Sequence, residues 1–153
     1  MVSTLDTGAQ MPRQVWMSLL ARTPEGAIRT YLEKVGYQPG FNWLRQPEIG
    51  TVMVQGKTSG SGNAFNLGEV SVTRCVLKLV SGEVGHAYVQ GRRHDCAEAA
   101  ALVDALMQTE FAGRVRSCVL TPLQHDMNTR KTERAAKAAA TKVDFFTLAR
   151  GED

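Results

Sequence analysis

Two arginines, a glutamine and a helix start are the features of this 153-residue sequence best suited to chemistry. Thr73-Arg74 lies within a Val-rich run from Val70 to Val80, and Gln90-Gly91-Arg92 closes a second run from Val84 to Arg92. The two runs are joined by Ser81-Gly82, a pair suited to a tight hairpin turn. Folding there sets Arg74 beside Gln90 and Arg92 at the end away from the turn. Converging guanidinium groups recognise phosphate-type anions through forked, charge-assisted hydrogen bonds. The chain then enters a helix expected to start at Asp95, where unpaired backbone amides and the helix dipole also favour anions. Arg74, Gln90 and Arg92 are therefore the candidate anion-binding residues. The competing reading pairs Arg74 and Arg92 with carboxylates such as Asp95, Glu98 or the acids of a partner.

Other chemistries fit less well, and no catalytic residue is assigned. Gly56-Lys57-Thr58 resembles the end of a phosphate-binding loop, but that loop needs four residues between its glycines and Gly50 to Gly56 encloses five. Thr51-Val52-Met53-Val54 reads as strand instead, followed by the linker-like Ser59-Gly60-Ser61-Gly62-Asn63. Cys75, Cys96, His86 and His94 lack the closely paired spacing of structural zinc ligands, so no metal is expected. A serine elbow is absent, and the side chains of His94 and Cys96 should diverge rather than form a nucleophile-base pair. Arg130, Lys131, Arg134, Lys137 and Lys142 lie without interleaved aromatics, which favours a solvated or subunit-facing helix over a nucleic-acid surface.

The elements that must position these groups read as an α+β domain. Hydrophobic residues make up 43% and charged residues 22%, close to globular averages, which excludes collagen-like, disordered and coiled-coil classes. A formal charge of +3 permits an anionic partner without requiring one. Three cysteines, an odd number, fit free thiols in the cytoplasm, and no apolar stretch is long enough for a membrane span. Residues 1–11 read as a flexible leader and residues 12–142 as the single domain. An N-terminal helical pair is expected, the first helix from Arg13 through Leu20 and the second carrying Ala27, Ile28, Tyr31, Leu32 and Val35 up to Gly36. About four antiparallel strands should follow: Asn42 to Gln46, Thr51 to Lys57, Val70 to Val80 and Val84 to Arg92. Asp95 with Glu98 forms a variant capping box ahead of a central Ala-rich helix that ends near Gly113. A basic helix from about Asp126 to Lys142 completes the domain. The last residues, 143–153, form an apolar tail in which Phe145 and Phe146, with Arg150 close behind, are candidate subunit-interface residues. Packing of that tail on its own core is the alternative.

Several blocks recur together: Arg13-Gln14-Val15-Trp16-Met17, Val72-Thr73-Arg74, Tyr88-Val89-Gln90-Gly91-Arg92, Ala97-Glu98, Ala101-Leu102-Val103-Asp104-Ala105-Leu106-Met107-Gln108, and Val143-Asp144-Phe145-Phe146-Thr147 with Arg150-Gly151. In order and spacing, over nearly the whole chain, they resemble the PhnG family, a small subunit of the bacterial carbon-phosphorus lyase system. One departure is Cys96, which stands where a histidine is expected before Ala97-Glu98 and argues further against an essential base or metal ligand there.

The resemblance implies a cytoplasmic hetero-oligomer with PhnH, PhnI and PhnJ subunits, acting in organic phosphonate catabolism. In that family PhnI, PhnG, PhnH and PhnL together use MgATP to place a ribose 5-triphosphate on methylphosphonate. Adenine leaves, and alpha-D-ribose 1-methylphosphonate 5-triphosphate forms. The later radical cleavage belongs to PhnJ, whose iron-sulfur cluster needs a cysteine spacing absent here. The resemblance thus implies a transferase subunit that binds no cofactor of its own, is inactive alone and serves mainly in assembly. The alternative is a stand-alone phosphate-binding or nucleotide-binding module.

Overall fold

A computed structural model describes residues 12–58 and 60–143. Helix α1 (Arg13–Arg22) turns its apolar stripe, Trp16, Leu19 and Leu20, into the core, and Thr23-Pro24 ends it. Helix α2 (Ala27–Glu33) buries Ile28 and Leu32, and Gly36 follows at φ +70°, the left-handed conformation that a side chain would oppose. The expected helical pair is present.

The sheet has three strands in the order β1-β2-β3, all antiparallel: β1 (Phe41–Lys57), β2 (Ala64–Leu79) and β3 (Val84–Gln90). The two first expected strands are one long β1. Between them Arg45 and Glu48 flank a register shift that holds Pro47, whose missing N–H is tolerated at such an irregularity. The Ser81-Gly82 turn forms as expected, with Gly82 at φ +115° and its N–H bonded to the Leu79 carbonyl at 3.0 Å. Because β3 pairs only with Val72–Lys78, residues 50–57 and 64–71 extend past it as a two-stranded arm.

Helix α3 (His94–Leu106) crosses the inner face of the sheet, and all ten residues from Cys96 to Leu106 other than Glu98 are buried. Its alanines allow the close approach that their size predicts. A Cβ added at Gly85 of β3 would lie 1.9 Å from the Ala101 carbonyl oxygen and 2.8 Å from the Ala105 Cβ, so only glycine fits under this helix. The helix does not use the expected capping box. It starts at His94 behind Arg93, without a side-chain cap, and Asp95 sits inside its first turn. The reason is Gly91, whose φ of +91° ends β3 at Gln90 and sends the chain into the helix early.

A short helix α4 (Ala112–Val115) runs through a π-helical stretch (Arg116–Leu120) into α5 (Thr121–Ala140). The basic helix therefore starts earlier than Asp126. Pro122 sits in its first turn, where a missing N–H costs nothing. Leu123 anchors α5 in the core, and every residue from Asn128 to Ala140 is exposed. Among the described residues no helix is long and apolar enough to cross a membrane. The proposed leader 1–11, Ser59, and tail residues Phe145, Phe146 and Arg150 lie outside the described residues.

Candidate functional site

The hairpin places Arg74 opposite Tyr88 and Val72 opposite Gln90, so Arg74 and Gln90 are diagonal neighbours on the sheet face turned away from α3. Arg92 lies two residues past the end of β3, beyond Gly91, and is exposed. The Arg74 Nε donates to Glu48 Oε1 at 2.6 Å across the β1-β2 pair. Arg74 thus has a carboxylate partner, on β1 rather than at Asp95 or Glu98. Both side chains are about half exposed, so water screens the pair and its contribution is small.

The junction after β3 depends on residues not singled out for this role. Thr73 is fully buried; its hydroxyl donates to the Gly91 carbonyl at 2.6 Å and accepts from the Arg93 N–H at 2.9 Å. The Arg93 side chain donates from Nε to the Gln90 carbonyl and from Nη1 to the Thr23 carbonyl, at 2.8 and 2.9 Å. Arg93 therefore ties β3, α3 and the α1-α2 connection together.

A second junction centres on Asp104, which is fully buried in α3. One carboxylate oxygen accepts from Arg13 Nε at 3.0 Å and from the Trp16 indole N–H at 2.8 Å. The other accepts from Arg13 Nη2 at 2.5 Å and from the His86 backbone N–H at 2.9 Å. Gln108, one turn later, donates to the Val84 carbonyl at 2.8 Å. Burying a charge is costly unless its lone pairs are filled, and here they are. The bond to Asp104 also raises the Arg13 pKa, outweighing the opposing effect of burial. The legible signal was an aspartate inside the apolar run Ala101–Met107, matched by Arg13 and Trp16 on one helical face.

These arrangements hold elements in place, and neither buried cysteine among the described residues is an activated nucleophile. Burial pushes the Cys75 thiol up to about 12, with the Glu98 charge acting in the same direction, so its thiolate is scarce. Burial raises Cys96 as well. Cys75 and Cys96 are buried while His86 and His94 are exposed, and no group of three or more potential metal ligands occurs among the described residues.

The order of family-like blocks now has a physical content: Arg13, Trp16, Asp104 and Gln108 form one junction, and Thr73, Gly91 and the neighbouring Arg93 form the other. The profile of the family described as phosphonate metabolism protein PhnG matches residues 11–151. The alpha-D-ribose 1-methylphosphonate 5-triphosphate synthase subunit PhnG of Rhizobium meliloti (strain 1021) is 37% identical over 150 residues, covering 98% of this chain and 96% of that protein. Coverage this complete at this identity includes both junctions, and the chain belongs to the PhnG family.

Proposed function

We propose that this chain is the PhnG-type subunit of a carbon-phosphorus lyase assembly. It supports MgATP-dependent formation of alpha-D-ribose 1-methylphosphonate 5-triphosphate from methylphosphonate, with release of adenine. The observation that carries this is the 37% identity along 98% of the chain to a subunit of the synthase of that name. The role is mainly one of assembly. The buried Asp104 carboxylate and Thr73 hydroxyl spend their hydrogen bonds on tying elements together, and burial holds the Cys75 thiol's pKa up.

The partners are PhnH, PhnI, PhnJ and PhnL subunits in the cytoplasm, and MgATP is a substrate of the whole rather than a resident of this chain. Arg74, Gln90 and Arg92 contact an anion in the assembled protein, with Glu48 giving up Arg74 to the ligand. Phe145, Phe146 and Arg150 meet a neighbouring subunit. Large apolar side chains left exposed on the arm, Met53 at 52% and Leu67 at 67%, fit a chain that is covered by others.

The test is co-expression with the other subunits, followed by phosphorus NMR of the product formed from methylphosphonate and MgATP. The chain should copurify with the assembly, and its omission should abolish the product. Turnover of ATP by this chain alone, lost on replacing one of its own side chains, would overturn the assembly role.

A further inference from the structure

We infer that the cleft between the C-terminal end of α1 and the middle of α5 is a binding site for a linear polyphosphate, the chemistry shared by inorganic tripolyphosphate and a nucleoside triphosphate. The cleft has a volume of about 540 Å³ and is lined by Arg22 and Pro24 on one wall and by Met127, Arg130, Lys131 and Arg134 on the other. Arg74, Gln90 and Arg92 are not among the residues that line it.

Four cations from two separate elements face one space. Arg130 and Arg134 are one helical turn apart, ~6 Å along the axis, so like charges adjoin on α5. Among the described residues none of Arg22, Arg130, Lys131 and Arg134 is within ion-pair distance of a carboxylate. The nearby acid Asp126 accepts from the Tyr31 hydroxyl at 2.7 Å. Repulsion on one helix face is relieved when an anion spans it.

The details favour an extended phosphate chain over a single phosphate. Arg22 is held in place, its Nε donating to the Ser18 carbonyl at 3.0 Å and its Nη2 to the Ser18 hydroxyl at 3.1 Å. Part of the side-chain ordering that binding would demand is therefore already met. Arginine offers the planar fork that matches phosphate oxygens, and three of the four cations are arginines. Cations on two walls match linked phosphates, which distribute their charge along the cleft, better than a single phosphate group.

Calorimetric titration of the full-length chain tests this, with tripolyphosphate, ATP and orthophosphate as the three probes at low and at physiological salt. Tripolyphosphate should bind, weaken as salt screens it, and exceed orthophosphate by at least about ten-fold. The double variant Arg130→Gln, Arg134→Gln should lose about ten-fold or more in affinity with unchanged thermal stability, since both positions are exposed. Equal affinity for ATP and tripolyphosphate assigns recognition to the phosphates alone; tighter ATP binding adds a contact to the nucleoside. The inference fails if neither polyphosphate binds, or if orthophosphate binds equally well. It also fails if affinity falls in Arg74→Ala, Arg92→Ala and not in the α5 variant, a result that would leave the sheet-face anion reading standing.

Discussion

The inner face of β2 changes character along a single strand. At its C-terminal end Thr73, Cys75, Leu77 and Leu79 lie under α3 and are at most 3% exposed. On the arm, the face that carries Met53, opposite Glu69 and 52% exposed, is uncovered, and past a register shift Leu67 is 67% exposed and Phe65 lies against Gly56 on the other face, 41% exposed. The difference is what covers the strand. In the core, α3 approaches closely over Gly85 and the Asp104 junction fixes α1 against both α3 and β3. On the arm two strands pair only with each other, an arrangement that is marginal in water unless packed against something else. Stability therefore resides around Asp104, and the arm is free to be shaped for contact.

Replacing Asp104 by alanine should break this contrast most severely. It strips four hydrogen bonds from Arg13, Trp16 and His86, among them those of the Trp16 indole N–H and the His86 backbone N–H. Arg13 is partly exposed and can be rehydrated, but leaving the buried Trp16 indole N–H without its acceptor costs about 1–3 kcal/mol, a large share of a single domain's stability. Urea denaturation of Asp104→Ala should show that loss. A change below about 1 kcal/mol would mean that the junction contributes little and that the core rests on apolar packing alone.

Alkaline pH sharpens the contrast through Cys75. Its folded pKa is raised from 9.0 to about 12, so the folded chain keeps a proton that the unfolded chain releases. The stability this provides is complete below about pH 9 and is lost as pH rises towards 12. Tyr31, raised by its bond to Asp126, acts in the same direction. Stability should therefore fall with rising pH above 9. The fall should be shallower in Cys75→Ala by up to about 1.4 kcal/mol per pH unit, since one titrating group has gone. Identical alkaline slopes in the two proteins would show that water reaches the inner face beneath α3.

How much of this was legible in the sequence follows the same division. Helical pairs, the Ser81-Gly82 hairpin and the Ala-rich helix depend on local periodicity and on glycine conformation, and those signals lie within a few residues. Pro47 and Gly50 look like breaks and divide β1 into two strands in the sequence, yet pairing with a continuous β2 carries the strand across them. The start of α3 near Asp95 is legible but its cap is not, because Gly91 and the bonds made by Arg93 decide it, and those bonds reach Gln90 and Thr23. Asp104 was visible as an oddity in an apolar run, but its partners Arg13 and His86 lie 91 and 18 residues away. Arg74 and Gln90 could be placed on one face from the hairpin alone. Glu48, which takes Arg74, could not, because its register depends on the irregularity around Pro47.

The arm supplies the smallest expected effect on the isolated chain. Leu67→Ser exchanges an already exposed apolar side chain for a polar one and breaks no described hydrogen bond, so its stability should change by less than about 0.5 kcal/mol. Met53→Ser, on the partner strand opposite Glu69, should behave alike. If the arm is a contact surface, the pair of substitutions should nevertheless remove the chain from a co-expressed assembly, because burying large apolar groups is what holds such interfaces. Gel filtration of the co-expressed subunits reads this directly. Loss of stability in the isolated variant would show that the arm is packed by its own chain, whereas unaltered stability with lost assembly would locate the function of these two exposed side chains outside the fold that carries them.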